Sequence, residues 1–135
     1  MNLIYIERKT IIEKYGNMVK PGEGISAMVA TNDSKMLVAG GTQGTLRILN
    51  LTSRQDIVDY SQFGKTFIMS IATSTDNNLL IHYDASDYIK VVSIKTKVLL
   101  RSFGPMNANF SISIIVSPDN QYVYAAANSS LRIYN

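Results

Sequence analysis

Ser117-Pro118-Asp119-Asn120 stands between two apolar runs, Ile112 to Val116 and Tyr122 to Ala127. Proline presets φ at the start of a turn, and the Asp carboxylate that follows can accept backbone N–H groups inside it, so the stretch is a turn joining two strands. Asp76, in Ser74-Thr75-Asp76-Asn77, lies 43 residues earlier, and Asp33, in Thr31-Asn32-Asp33-Ser34, another 43 before that. A turn recurring at a fixed interval of this size marks a repeat array.

Other positions keep the step. Leu37, Leu80 and Val123 align, as do Ala27, Ser70 and Ser113, Leu46 with Ile89, and Ile48 with Val91. The third copy is one residue shorter before Leu131, so Leu131-Arg132-Ile133 matches Leu46-Arg47-Ile48 at 85 rather than 86; a turn absorbs such a change.

Short strands separated by turns, with no helical period, give an all-β reading. The first complete unit, 25–66, has expected strands at 25–31, 36–41, 45–51 and 57–63, with Gly41-Thr42-Gln43-Gly44 as a hairpin turn. In 45–51 the alternation sets Leu46, Ile48 and Asn50 on one face and Arg47, Leu49 and Leu51 on the other. The second unit, 67–109, has strands at 67–74, 79–83, 88–94 and 98–103. An incomplete third, 110–135, has strands at 110–117, 122–127 and 131–134. Residues 1–24 read as the last two strands of a unit, because Ile6 to Met18 lies without a gap on Ile94 to Met106.

The 135 residues and 46% hydrophobic content suit one globular domain. No apolar run nears the roughly 18 residues of a membrane span, and the opening run meets Glu7 too soon for a signal-peptide core. These features point to a cytoplasmic protein, with the nucleus as the alternative. The absence of cysteine excludes disulfides and thiolate metal sites. The net charge of +3 is spread along the chain, which disfavours a nucleic-acid partner.

Catalytic signals are weak. His82 is the only histidine, and Ala39 and Ala125 hold its place in the other units, so it reads as structural. Gly40 to Gly44 lacks the Lys-Ser/Thr ending and the following helix of a phosphate loop. Asp84 and Asp87 flank a turn, where Asp is a favoured residue, and no third carboxylate stands near for Ca²⁺. The scattered methionines read as core. No cofactor or metal site is expected.

Units of four antiparallel strands per 40–45 residues resemble the blades of the WD-repeat (β-transducin-like) propeller family. Ser117-Pro118-Asp119-Asn120 stands at that family's first turn, Gly44-Thr45 at its second, and Leu49-Asn50, Val92-Ser93 and Tyr134-Asn135 at its Trp-Asp positions. Gly64-Lys65 and Gly104-Pro105 fall near its Gly-His positions. Of the family's polar cluster only the small inner-strand member persists, as Ser70 and Ser113, so apolar packing must hold the blades together. The bacterial Tyr-Val-repeat propellers, ligand-binding or enzymatic, are the alternative resemblance, through Gln121-Tyr122-Val123-Tyr124.

The resemblance implies an incomplete ring of about three blades and a non-catalytic protein–protein interaction scaffold, a fragment or part of a larger propeller. Its partners would be proteins or peptides, with missing blades or a second copy closing the ring. In such folds the turns between second and third strands and the inter-blade loops share one side, where binding concentrates. Arg47, Lys65, Asp84, Asp87 and Asn107 are the candidate contacts there.

Overall fold

The repeated turn is built the same way three times. The hydroxyls of Thr31, Ser74 and Ser117 donate to Oδ1 of Asp33, Asp76 and Asp119 at 2.7, 2.5 and 2.5 Å. Each Oδ1 also accepts the N–H two residues on, from Lys35, Asn78 and Gln121. Each hydroxyl also accepts an N–H at or just before the start of the next strand, from Met36, Leu79 and Tyr122 at 3.0, 2.9 and 2.9 Å. The chain reverses through Ser34, Asn77 and Asn120 at φ 60°, 63° and 60°, a left-handed conformation that Asn tolerates better than most residues.

The computed structural model describes residues 2–5, 10–108 and 112–135, with the side chains of 14–108 and 112–135. Thirteen strands and no helix form the described part. A leading hairpin pairs β1 (Asn2–Tyr5) with β2 (Thr10–Lys14). Blade 1 is the antiparallel sheet β3 (Ile25–Ala30), β4 (Met36–Gly41), β5 (Leu46–Asn50) and β6 (Ile57–Asp59). Blade 2 is β7 (Ile68–Thr73), β8 (Leu79–Asp84), β9 (Ile89–Ser93) and β10 (Leu99–Phe103). Blade 3 is β11 (Ile112–Val116), β12 (Val123–Ala127) and β13 (Ser130–Tyr134). In every sheet the strands lie in chain order.

Strand alternation gives each blade two faces, and the faces stack. Val38, Leu46, Ile48 and Tyr60 of blade 1 pack with Ile68, Ile71, Leu80 and Val92 of blade 2. Ile81, Tyr83, Ile89 and Val91 of blade 2 pack with Ile112, Ile114, Ala125 and Ala127 of blade 3. On its other side blade 1 sets Leu37, Ala39 and Leu49 against Tyr15 and Met18, in the chain after β2. Burial of branched aliphatic side chains, worth about 1.5–3 kcal/mol each, is therefore the main inter-blade force. Small hydroxyls supplement it. Ser26 Oγ donates to Ile68 O at 2.6 Å and to Gly40 O at 3.2 Å, and Ser70 Oγ accepts the Ile114 N–H at 3.2 Å.

Beyond strand ends that shift by one residue, two details depart from the sequence reading. The fourth strand of blade 1 ends at Asp59 rather than residue 63, because the Asp59 carboxylate accepts the Ser61 N–H and the chain turns back, Phe63 and Gly64 bonding to Tyr60 O and Ser61 O. Asn50 does not share a packed face with Leu46 and Ile48. It is exposed, and its side chain accepts the N–H groups of Thr52 and Ser53 at 2.8 and 3.1 Å, starting the next turn. The expected strand start at Phe110, the end of the second unit at Asn109 and the stretch Ile6 to Lys9 lie outside the described residues.

Candidate interaction faces

The turns between second and third strands lie against the inter-blade loops. Thr42 N–H donates to Gly24 O at 2.9 Å, Ala85 N–H to Phe67 O at 3.1 Å, and Asn128 Nδ2 to Asn107 O at 2.9 Å. Gly44 has φ +94°, and a Cβ there would meet the backbone of Gly64 and Lys65 at 3.0 Å, so turn and loop touch backbone to backbone.

Two kinds of charged side chain hold these loops. The first is a cation at one repeat position of the third strand. Arg47 Nη1 donates to Asn17 O at 2.8 Å, Lys90 Nζ to Phe63 O at 3.1 Å, and Arg132 Nη1 to Pro105 O at 3.1 Å. Each carbonyl belongs to the loop that leads into the cation's own blade.

The second kind is a carboxylate. Asp84, fully buried, accepts from Lys65 N–H, Ser86 N–H and Lys90 Nζ at 3.0 Å each, and from the Ser86 hydroxyl. Burial works to raise its pKa, but those hydrogen bonds outweigh it and hold the carboxyl below its ordinary value. Asp87 accepts from Asn107 N–H at 2.9 Å, Tyr83 Oη at 2.8 Å and Ala108 N–H at 3.3 Å; burial is again outweighed and its pKa is lowered. Glu23 accepts from Gln43 N–H at 2.7 Å, Thr45 N–H at 3.1 Å and the Thr45 hydroxyl, and is lowered for the same reason.

The five expected contact residues are placed as follows. Arg47 is half-buried between Asn17 O and Asp59, 3.8 Å away. Lys65 has an exposed side chain and gives its N–H to Asp84. Asp84 is enclosed. Asp87 is half-buried, and Asn107 is exposed, at φ 53°. The structure thus joins Lys65 to Asp84 and Asp87 to Asn107, while Arg47 is engaged elsewhere. Glu23, Lys90 and Arg132 were missed. The alignment with Arg47 marked Lys90 and Arg132, whereas Glu23 comes from a loop without a repeat partner.

His82 is fully buried on β8, and neither ring nitrogen has a hydrogen-bond partner. Burial lowers its pKa; Asp84 opposes the shift and Lys90 adds to it, leaving the ring at about 4. Among the described residues no three His, Cys, Asp or Glu side chains cluster as a metal site would require. No described helix is long and apolar enough to cross a membrane.

Each end of the stack leaves an apolar repeat position open. Ile71 and Ile114 are 8% and 4% exposed, whereas Met28, at the same position of blade 1, is 54% exposed. Ile48 and Val91 are 3% and 7% exposed, whereas Ile133, their counterpart in blade 3, is 60% exposed. At these two positions the side chain is buried between blades and open at the end of the stack, whereas Leu37, Ala39 and Leu49 on the outer side of blade 1 are covered by Tyr15 and Met18.

No family model matches the sequence, and no curated protein matches it. Solved structures do. The WD40 repeats of RRP9 superpose with a TM-score of 0.72 at 15% identity, over 87% of this chain and 37% of that one. U3-55K gives 0.71 at 15% identity over 87% and 38%, and the hydrazine synthase of Kuenenia stuttgartiensis 0.66 at 17% over 91% and 36%. At these identities the likeness shows the fold: the chain is an all-β set of WD40-like propeller blades in an incomplete ring. It spans less than two-fifths of the length of each of these proteins.

Proposed function

We propose that the chain is a non-catalytic protein–protein interaction scaffold and one part of a larger propeller assembly, working in the cytoplasm or nucleus. Its blade units would be 25–66, 67–109 and the incomplete 110–135, with 1–24 the outer half of a preceding blade. The exposed Met28 and Ile133, at opposite ends of the stack, carry this reading, because the same chain buries each of these positions twice between its own blades. Further blades or a second copy would cover those side chains. The loop side would take a protein or peptide, with Arg47, Lys65, Asp84, Asp87 and Asn107 as the proposed contact region. Of these, Lys65 and Asn107 present exposed side chains.

The inner strands β3, β7 and β11 carry only Ile25 to Ala30, Ile68 to Thr73 and Ile112 to Val116, none of them ionisable. That composition supports a binding role over catalysis in this segment, since general acid–base work needs titratable groups. Light scattering and small-angle X-ray scattering over a concentration series test the assembly reading. Self-association or an expanded, aggregating chain is expected, and Ile133→Glu should reduce the association. A compact monomer at all concentrations would overturn it.

A further inference from the structure

The two blade boundaries differ where a turn between second and third strands approaches the loop into the next blade. Tyr83, Asp87 and Asn107 stand at the boundary of blades 2 and 3 where that of blades 1 and 2 has Gly40, Gly44 and Gly64. The glycines close the space. A Cβ on Gly44 would meet Gly64 O at 3.0 Å, and one on Gly64 would meet Gly44 O at 2.4 Å. Between blades 2 and 3 the Asp87 carboxylate stands between turn and loop instead, and bonds the backbone of Asn107 and Ala108. The space left there is a cavity of about 330 Å³, walled by Met69, Tyr83, Ala85, Asp87, Asn107 and Ala108.

The free valence of Asp87 selects a ligand. Its Oδ1 accepts Tyr83 Oη at 2.8 Å and Ala108 N–H at 3.3 Å, which fills both lone pairs, whereas Oδ2 accepts only the Asn107 N–H at 2.9 Å. Burial works against the charge, but these hydrogen bonds outweigh it, so the carboxyl stays ionised at neutral pH. The neighbouring cations are engaged elsewhere: Lys90 pairs with Asp84, and Arg132 gives Nη1 to Pro105 O. One open acceptor suits the point charge of an ammonium, while a guanidinium needs both oxygens for its forked mode. Asn107 spends its backbone N–H and O on loop contacts and keeps an exposed side-chain amide at the rim. We propose that this cavity takes a lysine side chain from a partner protein, its methylenes against Met69, Ala85 and Ala108 and its ammonium on Asp87 Oδ2, with the Asn107 amide pairing to the adjoining peptide backbone. The site deepens, and rests on, the reading of the loop side as a peptide-binding side.

The test uses the full chain and two capped amino acids, Nα-acetyl-lysine N-methylamide and its arginine counterpart, with cadaverine as a free amine, all followed by saturation-transfer difference NMR. The lysine probe should bind about fivefold more tightly than the arginine probe. Asp87→Asn should weaken it about tenfold, as the loss of one charge-assisted hydrogen bond implies. Ala85→Leu, which fills the cavity and leaves the carboxylate in place, should abolish binding, and Lys65→Ala, at the place of Ala108 in the other boundary, should change nothing. Asn107→Gly, which keeps the left-handed backbone, should weaken the lysine probe and leave cadaverine unaffected. No binding of the lysine probe, equal binding of the arginine probe, or unchanged binding to Asp87→Asn and Ala85→Leu would overturn the proposal. So would cadaverine binding as tightly as the lysine probe, which would assign the cavity to free amines. Scattering separates this outcome from the scaffold reading: a lysine probe that fails on a chain that still associates removes the pocket alone, and a compact monomer that binds the probe removes the assembly alone.

Discussion

Glu23 in blade 1 takes the place that Asp84 holds in blade 2. Glu23 accepts the Gln43 N–H at 2.7 Å, Asp84 accepts the Ser86 N–H at 3.0 Å, and Gln43 and Ser86 are one repeat apart. The residue aligned with Asp84 is Gly41, and a Cβ on Gly41 would fall 2.0 Å from Glu23 Oε1. A carboxylate therefore caps the same turn in both blades, supplied once by the second strand and once by the preceding loop. Glu23→Ala should cost about 1–2 kcal/mol, because the turn N–H groups of Gln43 and Thr45 and the Thr45 hydroxyl lose their acceptor. Gly41→Asp should destabilise the parent, through contact with Glu23, yet stabilise the Glu23→Ala variant. Urea unfolding of the four proteins gives the cycle, and an equal effect of Gly41→Asp in both backgrounds would refute the equivalence.

On the opposite side the blades are joined by asparagine. Asn77 Oδ1 accepts the Asn32 N–H at 3.0 Å, and Asn120 Oδ1 accepts the Thr75 N–H at 2.8 Å, each across a blade boundary. Both asparagines also hold the left-handed turn position. Asn77→Ala loses both functions and should cost roughly 2 kcal/mol, whereas Asn77→Gly keeps the backbone freedom and should cost about half of that. Denaturation midpoints decide it, and identical losses would mean that the left-handed backbone contributes nothing beyond the inter-blade bond.

Acid should weaken the fold through His82. Its folded pKa, about 4, lies below the ordinary 6.5, so the unfolded chain binds a proton first as pH falls. The stability that neutral, buried His82 contributes is complete above about pH 6.5 and is lost progressively toward pH 4, by up to ~3 kcal/mol. Asp84 and Lys90 are the charged groups whose fields act on it, and they oppose one another. His82→Ala, the residue found at Ala39 and Ala125, should remove most of the pH dependence between 6.5 and 4.5. Urea midpoints of the parent and the variant at both pH values test this, and parallel losses would assign the acid sensitivity to other groups.

The repeat was legible because its signals are local. Alternation sets the strands, and a Ser/Thr-x-Asp turn carries its hydrogen bonds within five residues. The end of β6 was not legible, since a side chain at Asp59 stops a run that remains apolar at Tyr60 and Phe63. Asp84 and Asp87 could be read as turn residues, but not as the groups that fasten Lys65 and Asn107 in the neighbouring loops. Those contacts span 19 and 20 residues and exist only once the blades stack. Glu23 was invisible for the same reason, because it replaces a repeat residue in space and not in sequence.

Close packing at Gly40 gives a last test of how tightly blades 1 and 2 meet. A Cβ on Gly40 would lie 2.5 Å from Ile68 Cγ2 and 2.7 Å from its Cβ, and Ile68 is fully buried. The repeat counterpart of Gly40 is Tyr83, so the two inter-blade spaces are filled by residues of very different size. Gly40→Ala should cost about 1–3 kcal/mol by overpacking, and Ile68→Ala about 2–5 kcal/mol by leaving a cavity. The double variant should lose less than the two single losses together, because the new methyl enters the space that the isoleucine vacates. Strict additivity in denaturant unfolding would show that the two residues do not compete for one volume, and that the blades meet more loosely than this contact requires.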